Sequence, residues 1–285
     1  MQIKLKDITH IYDQNESIKA LTNVNLSISN NEFIGIVGHT GSGKSTLVQL
    51  LNGLIKPTRG KVIVDGTDIT SGKRNLKDIR QKIGIVFQYP ENQLFEETVY
   101  DDIAFGPRNL NLDKEEIEKR VKVALKLVDL NYENFKDRSP FNLSGGQKRK
   151  VAIAGVLAMR PQVLILDEPT AGLDPQGRRQ LLNLLNRLYN NYEMTVILIS
   201  HRMEEIALLS TRVIVMDEGK IILDGTPSEV FYSREKMQNL GLDLPQITTI
   251  LRKLTEKGLN VKTDVFSIPE AAEEILGELR RRETC

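Results

Sequence analysis

Gly38-His39-Thr40-Gly41-Ser42-Gly43-Lys44-Ser45 combines glycines, hydroxyls and one lysine at a spacing that can hold a polyphosphate. It is a full Walker A loop, and its flanks agree: an apolar run over Phe33–Val37 enters it, and Thr46-Leu47-Val48-Gln49-Leu50-Leu51 leaves it with helical character. The glycines let backbone N–H groups curl around phosphates, and the following helix aims its positive end at them. Lys44 supplies a point charge for the β- and γ-phosphates, and the Ser45 hydroxyl is placed to bind Mg²⁺. The expected ligands are a nucleoside polyphosphate and Mg²⁺, held by positions 38–46.

Val163-Leu164-Ile165-Leu166-Asp167-Glu168 is a matching Walker B strand. Alone, an Asp-Glu pair after a strand would read as a helix cap. Beside a Walker A loop, Asp167 is expected to hold the Mg²⁺ shell at the carboxyl end of its strand, and Glu168 to act as general base toward water. Leu143-Ser144-Gly145-Gly146-Gln147 is another helix start, with Ser144 as cap, Gln147 three positions on, and two glycines baring the backbone.

These residues need a scaffold. Phe33–Val37, Val163-Leu164-Ile165-Leu166, Thr195–Ile199 and 83–87 are continuous apolar runs, as in parallel strands covered on both faces. Helical patterns separate them; one has Asp113 as cap with Glu116 three positions on, and a stripe of Ile117, Val121, Ala124, Leu125 and Val128. The alternation predicts an α/β fold with the sheet in the middle. The first 30 residues alternate polar and apolar, and 61–66 ends in a turn, which predicts an antiparallel sheet beside the parallel one. The span 93–161 has no good strand and reads as a helical subdomain of a domain over 1–242.

Residues 243–285 read as an appendage. Asp243-Leu244-Pro245-Gln246 and Ser267-Ile268-Pro269-Glu270 each resemble a capping box. The second helix carries Ile268, Ala271, Ala272, Ile275, Leu276 and Leu279 as one stripe, which must pack on the main domain or on another chain, since about forty residues rarely fold alone. Arg280, Arg281 and Arg282 suit a helix C-terminus, with anionic partners as the other reading.

Of 285 residues, 40% are hydrophobic and 27% charged, which fits an ordinary folded protein. Thirty-nine Lys and Arg against 38 Asp and Glu leave +1, which argues against gripping bare nucleic acid. The single cysteine, Cys285, excludes a disulfide framework and a cysteine-rich metal site. No run approaches the ~18 apolar residues of a spanning helix. The first residues lack the apolar core of a signal peptide. The chain is expected in the cytosol, or held at the cytosolic side of a membrane by a partner.

The pentapeptide 143–147, about 20 residues before the Walker B aspartate, matches the signature of the ABC ATPases letter for letter, and the chain resembles that superfamily over roughly its first 240 residues. The resemblance implies a P-loop (RecA-like) parallel sheet core with an antiparallel β subdomain, a helical signature subdomain and a small C-terminal helical extension. It implies that Gln88 is the Q-loop glutamine contacting Mg²⁺ and the attacking water, and that Leu173-Asp174 is the D-loop. It makes His201 the switch histidine at the γ-phosphate. Tyr12 stands where the family has an aromatic that stacks on adenine; a surface tyrosine at a strand end is the competing reading. His10 and His39 have no assigned role. Ala171-Gly172 precedes Leu173 where many relatives have serine, and a changed cross-dimer hydrogen bond is expected there. The resemblance further implies that two chains, sibling or identical, meet head to tail, so that Ser144, Gly145, Gly146 and Gln147 complete the partner's site. ATP would draw the halves together and hydrolysis would release them.

The segment after Gln88, Tyr89-Pro90-Glu91-Asn92-Gln93-Leu94-Phe95, then Asp102-Ile103-Ala104-Phe105-Gly106-Pro107, is similar to the A-component ATPases of energy-coupling factor transporters, most of all to the second type. So are 152–159 and 170–175. This implies a membrane-embedded coupling subunit docked on 89–95, a separate membrane subunit that captures the substrate, uptake of vitamins or transition-metal ions, and pairing of the ATPases through 243–285. Leu94 and Phe95 also read as core of the helical subdomain. An ATPase of a conventional importer, for amino acids or phosphate, would share every catalytic motif. One Walker A loop and no heptad run argue against a soluble member serving translation or DNA repair. A non-catalytic module does not fit the presence of Lys44, Asp167, Glu168 and His201 together.

Overall fold

The computed structural model describes residues 1–12, 19–71 and 76–283; Cys285 lies outside them. In chain order the elements are β1 (Ile3–Ile11), β2 (Lys19–Ile28), β3 (Phe33–Val37), α1 (Lys44–Leu51), β4 (Arg59–Val64), β5 (Thr67–Asp68), α2 (Lys77–Lys82) and β6 (Ile83–Val86). A 3₁₀ turn over Pro90–Gln93 leads to α3 (Val99–Asn109), α4 (Lys114–Leu127), α5 (Tyr132–Phe135) and α6 (Gly145–Leu157). Then follow β7 (Val163–Asp167), α7 (Pro175–Tyr192), β8 (Thr195–Ile199), α8 (Met203–Leu209), β9 (Arg212–Asp217) and β10 (Lys220–Gly225). The chain closes with α9 (Pro227–Tyr232), α10 (Arg234–Asn239), α11 (Gln246–Glu256) and α12 (Ile268–Glu283).

The continuous apolar runs become β3, β8 and β7 in the middle and β6 at one edge of a six-stranded sheet of order β10-β9-β3-β8-β7-β6, parallel except for β10 at the other edge. Strand alternation divides these runs between two cores. Phe33, Val37, Leu164, Leu166, Val196 and Leu198 face the larger core under the helices. Ile34, Ile36, Ile165, Ile197 and Ile199 face a second core shared with α1 and the antiparallel sheet β2-β1-β4-β5. That sheet needs a break: Gly60 has φ +90°, and a Cβ there would stand 2.4 Å from the Lys6 carbonyl oxygen. Helices occupy the β6-to-β7 crossover, with α3 packed on α6 and α4. The expected fold class is the one observed.

Caps set the helix starts. Thr98, Asp113, Asn131, Ser144 and Asp174 each accept a backbone N–H three positions on, and Ser144 forms a complete capping box with Gln147. Two expectations at the C-terminal end are corrected. The box at Asp243 does not form: α11 begins after Pro245, which has no side-chain cap. The residue before a proline is kept from helical conformation, and Leu242 and Leu244 are meanwhile anchored in the main core. The stripe of α12 is two faces, not one. Ala271 and Ile275 pack inward on a small core with Leu251 and Val261, while Leu276 and Leu279 stay 52% and 45% exposed. At Ser267 half of the box forms: the hydroxyl accepts from the Glu270 N–H, while the Glu270 carboxylate accepts from that same hydroxyl and not from the Ser267 N–H.

Candidate functional site

Four strands of the parallel sheet deliver the site from their carboxyl ends: β3 leads into Gly38, β6 to Gln88, β7 to Asp167 and Glu168, and β8 to His201. This is where an open α/β sheet takes a ligand. Gly43, just before α1, has φ +98°, and a Cβ would sit 2.6 Å from the Ala20 carbonyl oxygen, so only glycine fits this turn. The first helical hydrogen bond of α1 runs from the Leu47 N–H to the Gly43 carbonyl, which leaves the N–H groups of Lys44, Ser45 and Thr46 without carbonyl partners inside the helix. Thr40 and Gly41 are exposed at the loop tip, and Ser42 is buried beneath it.

Lys44 is folded into the loop, its ammonium donating to the carbonyls of Gly38 (2.8 Å) and His39 (2.7 Å) and to Ser42 Oγ (3.3 Å). Burial pushes its pKa below the ordinary lysine value, against the pull of the Glu168 and Asp167 carboxylates. The Ser45 hydroxyl donates to Asp167 Oδ2 at 3.0 Å, so two hard oxygens stand together. Glu168 is the centre of a second cluster: Oε1 lies 2.7 Å from His201 Nε2, and Oε2 accepts from Gln88 Nε2 at 3.3 Å. Its backbone is left-handed at φ +47°, an uncommon state for a residue with a side chain. Tyr12 Oη and Thr46 Oγ1 are 3.0 Å apart, with the exposed Tyr12 ring edge-on to His10, so the tyrosine stands at the open mouth of α1.

Ser144, Gly145, Gly146 and Gln147 are elsewhere. Ser144, Gly146 and Gln147 border a groove with Leu173, Gly177 and Gln180, and none of the phosphate-loop residues lines it. A Cβ added to Gly145 or Gly146 would meet nothing within 4 Å, so packing within the chain does not require glycine there. Asp174 caps α7 through the Gly177 N–H, and Gly172 takes a left-handed φ of +75°.

Sequence reasoning missed four features near the site. Glu205, buried, accepts from the Thr170 and Ser200 hydroxyls at 2.9 Å each, tying the loop after Glu168 to the loop before His201; burial pushes its pKa up. His39 Nε2 contacts the Leu240 carbonyl, joining the phosphate loop to the chain after α10. Phe105 pairs edge-to-face with Phe95 at 5.0 Å. Arg149 is 4% exposed and bonds Glu91 and two backbone carbonyls. A signal existed for the last: Arg149 shares one helix face with Ile153 and Leu157, a charge inside an apolar stripe.

Lys44→Ala would remove the ammonium at the loop centre. A charge-assisted hydrogen bond of about 1.5–3 kcal/mol corresponds to roughly 10- to 150-fold weaker ATP binding. Equilibrium titration with a fluorescent ATP analogue measures this, and unchanged affinity would exclude Lys44 from phosphate contact.

A sequence profile described as ABC transporter matches residues 21–171. Over 278 residues the chain is 56% identical to the energy-coupling factor transporter ATP-binding protein EcfA2 of Clostridium tetani, covering 97% of this chain and 96% of that protein. It is 52% identical to the protein of the same name from Clostridioides difficile, over the full length of both. Among solved structures, cbiO1 from Clostridium perfringens, described as part of the ABC transporter complex cbiONQ, superposes with a TM-score of 0.74 at 42% identity, covering 88% of this chain and 98% of that one. The ATP-binding cassette MJ0796, solved as a dimer bound to ADP and Pi, gives 0.70 at 34% identity over 79% of this chain and 98% of that one.

Proposed function

Because the chain belongs to the ABC transporter family, among its energy-coupling factor ATP-binding proteins, we propose that it is one half of a paired ATPase driving an importer of vitamins or transition-metal ions. One observation carries the reading: Lys44, Gln88, Asp167, Glu168 and His201 gather at the carboxyl ends of the parallel strands, while the signature glycines present bare backbone to open space away from them. A site that lacks the second half of its phosphate contacts, in a chain that carries such a half unused, is completed by a second chain placed head to tail.

Within the composite site, Lys44 and the free N–H groups of α1 hold the polyphosphate, Tyr12 supports the base, and Ser144 with Gly145 and Gly146 closes over the partner's γ-phosphate. Water attacks the γ-phosphorus in line; Glu168 takes its proton, His201 and Gln88 hold that carboxylate in place, and ADP leaves. The Ser45 and Asp167 oxygens suit Mg²⁺, which takes few protein oxygens and fills its shell with phosphate and water; Gln88, bonded to the neighbouring Glu168, is the third candidate ligand. When bound, Mg²⁺ would supply positive charge to offset that of the polyphosphate.

No described helix is long and apolar enough to cross a membrane, so attachment falls to partners. We place the chain peripherally on the cytoplasmic face, bound to a membrane-embedded coupling subunit, with substrate captured by a separate membrane subunit. Residues 243–285 serve pairing, through the outward face of α12. Purifying the tagged chain from its native membranes and identifying its companions tests this: a second ATPase chain and a membrane-embedded subunit are expected. Leu276→Asp with Leu279→Asp would place two unpaired charges in the pairing contact, at several kcal/mol. That variant should lose the second ATPase in the nucleotide-free state while melting normally, because neither side chain is part of the small C-terminal core. Undisturbed pairing would remove α12 from the interface.

A further inference from the structure

Arg149 lies on α6 five positions after Ser144, and its planar fork is saturated on two sides. Nε and Nη2 donate to the two carboxylate oxygens of Glu91 at 3.0 and 2.7 Å, and Nη1 donates to the carbonyls of Pro169 (2.8 Å) and Ala171 (2.7 Å). Partial burial works against the charge on Glu91, yet the Arg149 bonds outweigh it and hold that carboxyl below its ordinary value. The bonded segments matter by their neighbours. Glu91 stands between Gln88, which bonds Glu168, and the exposed Phe95. Pro169 and Ala171 stand between Glu168 and the Leu173-Asp174 turn. Left-handed residues, Tyr89 in one segment and Glu168 and Gly172 around the other, give these segments defined pivots.

We propose that Arg149 is a positioning residue that makes the signature helix, the 89–93 segment and the 169–171 segment move as one body. A displacement of Gln88 or Glu168 on engaging the γ-phosphate is then passed both to the exposed 94–105 surface and to the signature end of α6. Guanidinium geometry is what the role requires: four bonds in one plane, reaching a carboxylate on one side and two carbonyls on the other, which an ammonium cannot reproduce. This inference rests on the ATPase reading above and deepens it.

Hydrogen exchange on the full chain tests it, with a Glu168→Gln parent that holds Mg²⁺–ATP without turnover. In the parent, ATP should slow backbone exchange both at 38–51 and at 89–105. Adding Arg149→Lys should leave the slowing at 38–51 and shrink that at 89–105 by roughly tenfold. Glu91→Gln, which keeps an oxygen for one arm of the fork, should act in the same direction and decides the matter if the lysine variant folds poorly. A residue that merely packs would speed exchange at 89–105 equally with and without ATP, leaving the difference intact; that outcome overturns the proposal, as does a parent whose 89–105 segment ignores ATP. A parent with no slowing at 38–51 would overturn the nucleotide reading itself, a failure visible separately.

Discussion

Glu168→Gln is expected to slow ATP hydrolysis by roughly 10²–10⁴-fold, the usual worth of a positioned general base, while ATP stays bound. The substitution preserves shape: an amide oxygen can still accept from Gln88 Nε2, and the amide nitrogen can face His201 Nε2. Basicity is what disappears. Glu168 is also the carboxylate that acts most on Lys44, so neutralising it leaves the loop more positive toward the polyphosphate, and affinity for ATP should hold or rise. A site that binds ATP but cannot discharge it should accumulate chains in the closed, paired state. Phosphate release measures the first effect, and light scattering with and without Mg²⁺–ATP measures the second. Turnover at the level of the unaltered protein would remove Glu168 from the role of base.

The chemistry-bearing residues could be read in advance because their geometry is local. Eight contiguous residues build the phosphate loop, and a strand fixes the direction of the Asp167-Glu168 pair that follows it. The strands of the central sheet were legible for a related reason: burial on both faces leaves an unbroken apolar run, as β3 and β8 show at every position. Legibility fails where contacts span the chain or where apolar residues exceed one face. Arg149 meets partners 20 to 58 positions away, and no local pattern announces them. On α12, six apolar residues wrap the helix too widely for the pattern to say which pair faces the small core and which faces outward. Leu94 and Phe95 follow a 3₁₀ turn without periodicity, so adjacent side chains of like chemistry take opposite fates: Leu94 packs against the main core and Phe95 is 57% exposed.

That split gives the membrane-docking reading its decisive variants. Phe95 and Phe105 (44% exposed) form one aromatic pair at the edge of a groove that also includes Leu54, Phe87 and Met159. Inside the groove, the Asp102 carboxylate accepts the Phe95 N–H through Oδ1, and burial pushes its pKa up against the pull of the Phe95 and Glu96 backbone N–H groups. The exposed aromatic rim is apolar surface of the kind a partner subunit covers. Phe95→Ser with Phe105→Ser should therefore weaken assembly with the membrane-embedded subunit by roughly 10²–10⁴-fold, at about 1.5–3 kcal/mol for each side chain no longer buried by the partner. The isolated chain should lose the ring–ring contact, about 0.5–1.5 kcal/mol, together with the part of each ring that the chain itself covers, and its melting temperature should fall by several degrees. Leu94→Ser is the contrasting variant: it opens a gap against the main core and should lower the melting temperature by more than the double aromatic change does. Pull-down with the membrane subunit and thermal melting of the isolated chain measure the two effects on the same preparations. Undiminished assembly of the double variant would move the docking surface away from this groove, and a melting loss as large as that of Leu94→Ser would return Phe95 and Phe105 to the core.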